Sequence, residues 1–256
     1  MHGKRTFYSL YSYLGNFDKY SSISGVKLVS DTEFSVSNKE LFLPYPRGEI
    51  GSFTIKTGSM KKRLEEMGNE ELWQLFPVII SEHDPQWAER YRKESERLKE
   101  LLGESIGRIQ HIGSTAVPDI PAKPTIDILI ELTESADLAR VVDFMKKDGY
   151  IYCPRPENPA PHMMFMKGYT EAGFRGQAFH VHVRYRGDWD EPYFRDYLCA
   201  HPEEALEYGR LKIRLQQQFE HDRDAYTAAK TDFIMEIVNK AREALKQNHS
   251  NKPAIQ

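Results

Sequence analysis

Cysteine is scarce in this 256-residue chain. The two that occur, Cys153 and Cys199, lie far apart and match neither a metal-binding nor a redox spacing, so a reducing, cytoplasmic setting is expected. Long apolar runs are missing too: none approaches the ~20 residues of a membrane span, and no membrane partner is expected. Neither sign of charge dominates, with 38 acidic against 35 basic residues. Whole-chain attraction to nucleic acid is therefore not indicated, and any anion site has to come from a local cluster. The basic start Met1-His2-Gly3-Lys4-Arg5 leads into an aromatic and polar stretch rather than an apolar core with a cleavage site, so no export signal is expected. The length suits one full α/β domain with something appended, or two small domains.

The texture changes near residue 60. Residues 1–59 are rich in Tyr, Phe, Ser and Gly, with β-like runs at Gly25 to Val29, Glu40 to Leu43 and Ser52 to Lys56, a turn at Pro46-Arg47-Gly48, and no motif that assigns a role. From Lys61 to Leu75 a helical pattern leads into Phe76 to Ile80, which reads as a strand. Pro85 opens an amphipathic helix carrying Trp87, Tyr91, Leu98 and Leu101-Leu102, stopped near Gly103. Ile106 to Ile112 alternates as a strand, and Ile126 to Leu132 is the near-continuous apolar run of a central one. A helix follows over Asp137 to Lys147, then strands at Met163 to Lys167 and Ala178 to Arg184 around a Gly-rich turn through Gly173 and Gly176. Pro192 to Lys246 is helical, broken near Pro202 and Asp222, and residues 247–256 read as a flexible tail. Such an order predicts an α/β fold, a mixed sheet flanked by helices with a helical C-terminal part, over residues 60–246.

The stretch QHIGSTAVPDIPAKPTIDILIE (110–131) carries candidate chemistry at both ends. A Gly113-Ser114 turn at a strand end exposes backbone N–H groups and a hydroxyl that can receive phosphate oxygens, with Thr115 beside them. Asp127, between Ile126 and Ile128, has to be paired, hydrogen-bonded or bound to a cation. Magnesium would satisfy it, because that ion takes one or two carboxylates plus substrate phosphates. Pairing with Lys123 or an arginine would satisfy it equally.

His111-Ile112-Gly113-Ser114-Thr115-Ala116-Val117-Pro118, Ala122-Lys123-Pro124 and Ile126-Asp127-Ile128 together resemble the signature of the GrpB family, usually HIGSTAVPGLxAKPIIDI. The resemblance runs from about Phe76 to Ala244 and takes in His83-Asp84-Pro85-Gln86-Trp87, His180-Val181-His182-Val183, Phe194 to Leu198 with His201-Pro202, and Tyr208, Lys212, Arg223, Tyr226 and Lys230. It implies a place in the nucleotidyltransferase-fold superfamily. There, a Gly-Ser turn is followed by two carboxylates on the next strand that hold magnesium against a nucleoside triphosphate. This chain has Leu129 where the second carboxylate would fall, and Glu131 is roughly 13 Å along the strand. It also has Asp119-Ile120 where the family has Gly-Leu, a change expected to alter the loop.

Alternation puts His180, His182 and Arg184 on one strand face, opposite Val181 and Val183. If this strand neighbours that of Asp127, the histidines stand in for the absent carboxylate; otherwise the strand is half-exposed with polar residues outward. Nitrogen ligands would favour zinc, manganese or iron over magnesium; the expected cofactor is magnesium or manganese, with zinc as the alternative. Lys212 and Lys230 each lie four residues beyond a tyrosine on one helix face, placed either as surface charges or, as the resemblance implies, as cations for a triphosphate. The expected reaction is transfer of a nucleotidyl group from a nucleoside triphosphate to an unknown acceptor. In it Gly113, Ser114 and Thr115 would hold phosphates, Asp127, His180 and His182 the metal, and Lys123, Arg184, Lys212 and Lys230 would neutralise charge. A nucleotide-binding module without catalysis, and a metal-dependent hydrolase centred on the histidines, are the alternatives.

Overall fold

A computed structural model describes residues 41–44, 50–53, 62–155, 158 and 161–250. Two short strands, β1 (Leu41–Pro44) and β2 (Ile50–Phe53), pair antiparallel on either side of the expected turn. The run Gly25 to Val29 lies outside the described residues. Helix α1 (Asn69–Leu75) is shorter than the helical pattern, and Phe76 to Ile80 is not a strand. Phe76 and Val78 are buried, but the segment is held by single backbone bonds, Val78 N to Glu220 O and Ser81 to Ala122, instead of a ladder. Period-two burial here reports a chain lying in a groove, a pattern that sequence does not separate from a sheet.

Helix α2 (Gln86–Leu102) buries Trp87, Leu98 and Leu102 and ends at Gly103, whose φ of +53° favours glycine. Strands β3 (Ile106–Ile112) and β4 (Thr125–Leu132) are antiparallel partners joined by residues 113–124, the opening loop of the site. Helix α3 (Leu138–Lys147) is capped by the Asp137 carboxylate, which accepts from Ala139 N and Arg140 N, while Lys146 and Lys147 complement its C-terminal dipole. The sequence reading passed over β5 (Ile151–Pro154), a four-residue edge strand closed by a proline. Strands β6 (His162–Thr170) and β7 (Gly173–Tyr185) are longer than expected and form a tight hairpin, so Gly173 and Gly176 fall inside β7. Four helices follow: α4 (Asp190–Ala200), α5 (Pro202–Gln218), α6 (Arg223–Ala228) and α7 (Thr231–Ser250).

The sheet has the order β3-β4-β7-β6-β5, with β4 and β7 parallel and the other pairs antiparallel. On one face Ile126, Ile128, Ile130, Phe165, Val181 and Val183 pack with Trp87, Leu98, Val141 and Met145 of α2 and α3. Alternation turns Asp127, His180, His182 and Arg184 to the opposite face, toward the C-terminal helices. There α4, α5 and α7 build their own apolar cluster on Val117 and Ile120 of the opening loop.

Candidate functional site

Parallel pairing of β4 with β7 sets Asp127 directly opposite His180. Nδ1 of His180 lies 3.2 Å from Asp127 Oδ1, and Tyr169 OH lies 2.7 Å from His180 Nε2. With the carboxylate at Nδ1, that nitrogen carries the proton and Nε2 accepts from the phenol, so Asp127, His180 and Tyr169 form one buried chain. Burial, stronger than the pull of Asp127, holds the His180 imidazole down at about 4 and keeps it neutral. For Asp127 burial alone would raise the carboxyl, but the two imidazoles beside it outweigh that and keep it ionised, below the usual carboxylate range. His182 is also buried, its Nε2 3.9 Å from Asp127 Oδ1. The half-exposed histidine strand is thus excluded, and so is the pairing of Asp127 with an arginine as its main partner.

Gly113 is required by close approach. Its φ is +72°, and a Cβ there would collide with the Asp127 carboxylate. Ser114 lines the cavity, as does Tyr208. Thr115 is turned away. Buried, it gives its hydroxyl proton to Thr125 O at 3.3 Å and lies 3.0 Å from His111 Nε2, so it braces the loop and does not face a ligand. Asp119 adopts φ +58°, the left-handed conformation that a glycine takes readily. A short polar side chain tolerates that region.

Between the polar sheet face and the C-terminal helices lies a cavity of about 470 Å³. Lys123, Lys212, Lys230 and Arg155 line it, together with Asp127 and His182. Lys212 and Lys230 are 2% and 9% exposed, which removes the surface reading of both. Each ammonium lies over the ring of the tyrosine four residues earlier, 4.6 Å from Tyr208 and 4.3 Å from Tyr226. Burial, reinforced by neighbouring cations, pulls Lys123 and Lys212 well below the ordinary lysine value; Lys230, drawn up again by Asp127, settles at about 8. Acidic groups also reach the cavity wall, but Glu191 is paired with Arg184 at 2.6 Å, and Asp188 and Asp190 are bonded to Arg242. Arg184, stacked on Trp189, therefore anchors α4 with its charge already answered. Glu131 is engaged at the far end of β4 by Gly187 N and Arg108.

Among the described residues no three His, Cys, Asp or Glu side chains are arranged to hold a metal ion. The expected set of Asp127, His180 and His182 fails on His180, whose two nitrogens both have partners. Sequence reasoning also missed Arg155, Trp189 and Tyr169; no spacing marks them, because β5, α4 and β6 bring them in from three separate segments.

Comparison with known proteins follows this geometry. The model of the GrpB protein family matches residues 77–240, which hold the opening loop, the histidine strand and all three cavity lysines. The chain belongs to the GrpB family. It is 34% identical over 165 residues to the glutamate-rich protein GrpB of Alkalihalophilus pseudofirmus, covering 63% of this chain and 94% of that protein. A crystal structure of the conserved protein GrpB from Enterococcus faecalis matches with a TM-score of 0.55 and 30% identity, over 65% of this chain and 99% of that one. A dephospho-CoA kinase of Mycolicibacterium paratuberculosis is 27% identical over 188 residues, 64% of this chain but 46% of the kinase. No described helix is long and apolar enough to cross a membrane.

Proposed function

We propose that the cavity binds a nucleoside triphosphate and that the chain transfers a nucleotidyl group from it to an acceptor. The observation that carries this reading is the charge imbalance: Lys123, Lys212, Lys230 and Arg155 line one cavity with Asp127, and the other carboxylates at its wall already have cationic partners. Buried cations of that number call for an anionic ligand, and phosphates supply both charge and acceptor oxygens. Ser114 and the lysines would receive the phosphates. Asp127, ionised and held in place by His180 and Tyr169, would meet the ligand at the strand end. A zinc site built on the histidines does not fit, since His180 is occupied; magnesium or manganese does, because one carboxylate and the triphosphate oxygens are a sufficient set. Such an ion would draw charge from the phosphates as the bond breaks.

A second reading, nucleotide binding without transfer, is favoured by Leu129, which is fully buried and apolar where a second carboxylate would stand. The kinase relative is matched over less than half its length, and its named activity is not carried over to this chain.

Calorimetry with the four nucleoside triphosphates, with and without magnesium or manganese, tests the proposal. Binding that needs the metal and is lost in Asp127→Ala supports it, and pyrophosphate release then separates transfer from binding alone. Absence of binding under every condition would overturn both readings.

A further inference from the structure

Lys212 differs from the other cavity lysines. Lys123 and Lys230 both feel the Asp127 carboxylate, whereas Lys212 is influenced by burial and by Lys230 alone. Its Nζ is buried with no hydrogen-bond partner, yet the side chain lines the cavity. The Tyr208 face 4.6 Å away is its one favourable electrostatic contact, and an aromatic face compensates only part of the loss of hydration. Two features that turn a lysine into a nucleophile, removal from water and a neighbouring cation, therefore coincide at this side chain.

We propose that Lys212 is an imine-forming amine and that the cavity accepts a small phosphorylated aldehyde or ketone whose carbonyl carbon condenses with its Nζ. The amine lone pair adds to the carbonyl carbon, and one of the two amine hydrogens passes as a proton to the carbonyl oxygen. The resulting carbinolamine then loses that hydroxyl and the remaining amine hydrogen as water while the C=N bond forms. No oxidant or reductant is consumed. The phosphate would sit against Lys123 and Lys230, so this part of the proposal rests on the anion-binding reading of the cavity. The amine chemistry does not, because it follows from the isolation of Lys212.

Pyridoxal 5′-phosphate is a direct probe, with borohydride added to reduce the imine and mass spectrometry to locate the adduct. Expected is labelling of Lys212 at pH 7 at least about tenfold faster than of surface lysines, because a larger share of its amine carries no proton. Lys212→Met and Lys212→Arg should both lose this adduct while keeping the wild-type circular dichroism spectrum. Pyridoxal without the phosphate should label Lys212 more slowly. Equal labelling by both probes would keep the nucleophile and overturn the phosphorylated class of substrate. Protection by nucleoside triphosphates would place both ligands in one cavity; labelling that triphosphates leave unchanged would count against the nucleotide reading and leave Lys212 as the reactive amine. Labelling confined to surface lysines, Lys123 or Lys230 would overturn the proposal.

Discussion

The two faces of the central sheet are built from alternate residues of the same strands, yet they obey opposite rules. On the α2 and α3 side every inward position of β4 and β7 is aliphatic or aromatic, and the packing satisfies itself. One residue along each strand, the other face carries Asp127, His180, His182 and Arg184, all largely withdrawn from water. Opposite them the helices present lysines where a core would have leucines. Burial of apolar area stabilises the first face; the second spends stability on keeping charges close together in a poorly hydrated space. A polar face that expensive is expected where a ligand completes it.

The contrast can be broken most severely from the apolar side. Val181→Asp puts a carboxylate into the fully buried apolar face and should cost more than about 4 kcal/mol, enough to leave the protein unfolded or insoluble on expression. Acid sharpens the contrast from the polar side. Burial, the leading cause in each case, holds His111, His162 and His180 at about 4, against 6.5 in the unfolded chain. Between those limits the unfolded state binds the extra protons, so stability is complete above about pH 6.5 and falls as pH drops toward 4, by up to roughly 3 kcal/mol for a fully buried imidazole. Urea titrations across that range should show it, and His162→Gln should remove about one proton from the slope; an unchanged slope would mean that His162 titrates normally in the folded state.

A smaller effect has the opposite sign. Lys212→Met exchanges an amine that is costly to bury for an apolar side chain of similar length and should stabilise the ligand-free protein by about 1–3 kcal/mol at pH 7. Since the folded-state value lies below the unfolded one, the gain should shrink as pH rises through 10.5, above which neither state holds the proton. Thermal melts at pH 7 and pH 10 would read this directly, and a destabilised variant would show that Lys212 supports the fold. Smallest of all, Asp119→Gly relieves a left-handed residue and should raise stability by a few tenths to ~1 kcal/mol without changing the cavity, as a melt would show.

Much of this was legible in the residues. Apolar runs located β3, β4, β6 and β7, caps and prolines located the helix ends, and the alternation in Phe179 to Arg184 put both histidines and Arg184 on one side. The four-residue edge strand β5 was too short to show a period, and Phe76 to Ile80 imitated one because a groove buries alternate residues as a sheet does. Gly113, Ser114, Asp127 and Lys123 were visible as candidates because of their types and spacing. The role of Thr115 was not visible, since its hydroxyl could turn either way until the chain around it was in place.

The sequence by itself determined the strand faces of β4 and β7, the place of most helices and the family, because periodicity, capping and motif spacing are local properties of the chain. Only the tertiary structure decided what the polar residues meet. The parallel register of β4 and β7 gave His180 to Asp127, and β6 added Tyr169, which took the remaining nitrogen away from any metal. The packing of α5 and of the turn between α6 and α7 over the sheet then turned Lys212 and Lys230 into the wall of a cavity. Partners distant in sequence are set by how elements pack, and no pattern along a single strand or helix records them.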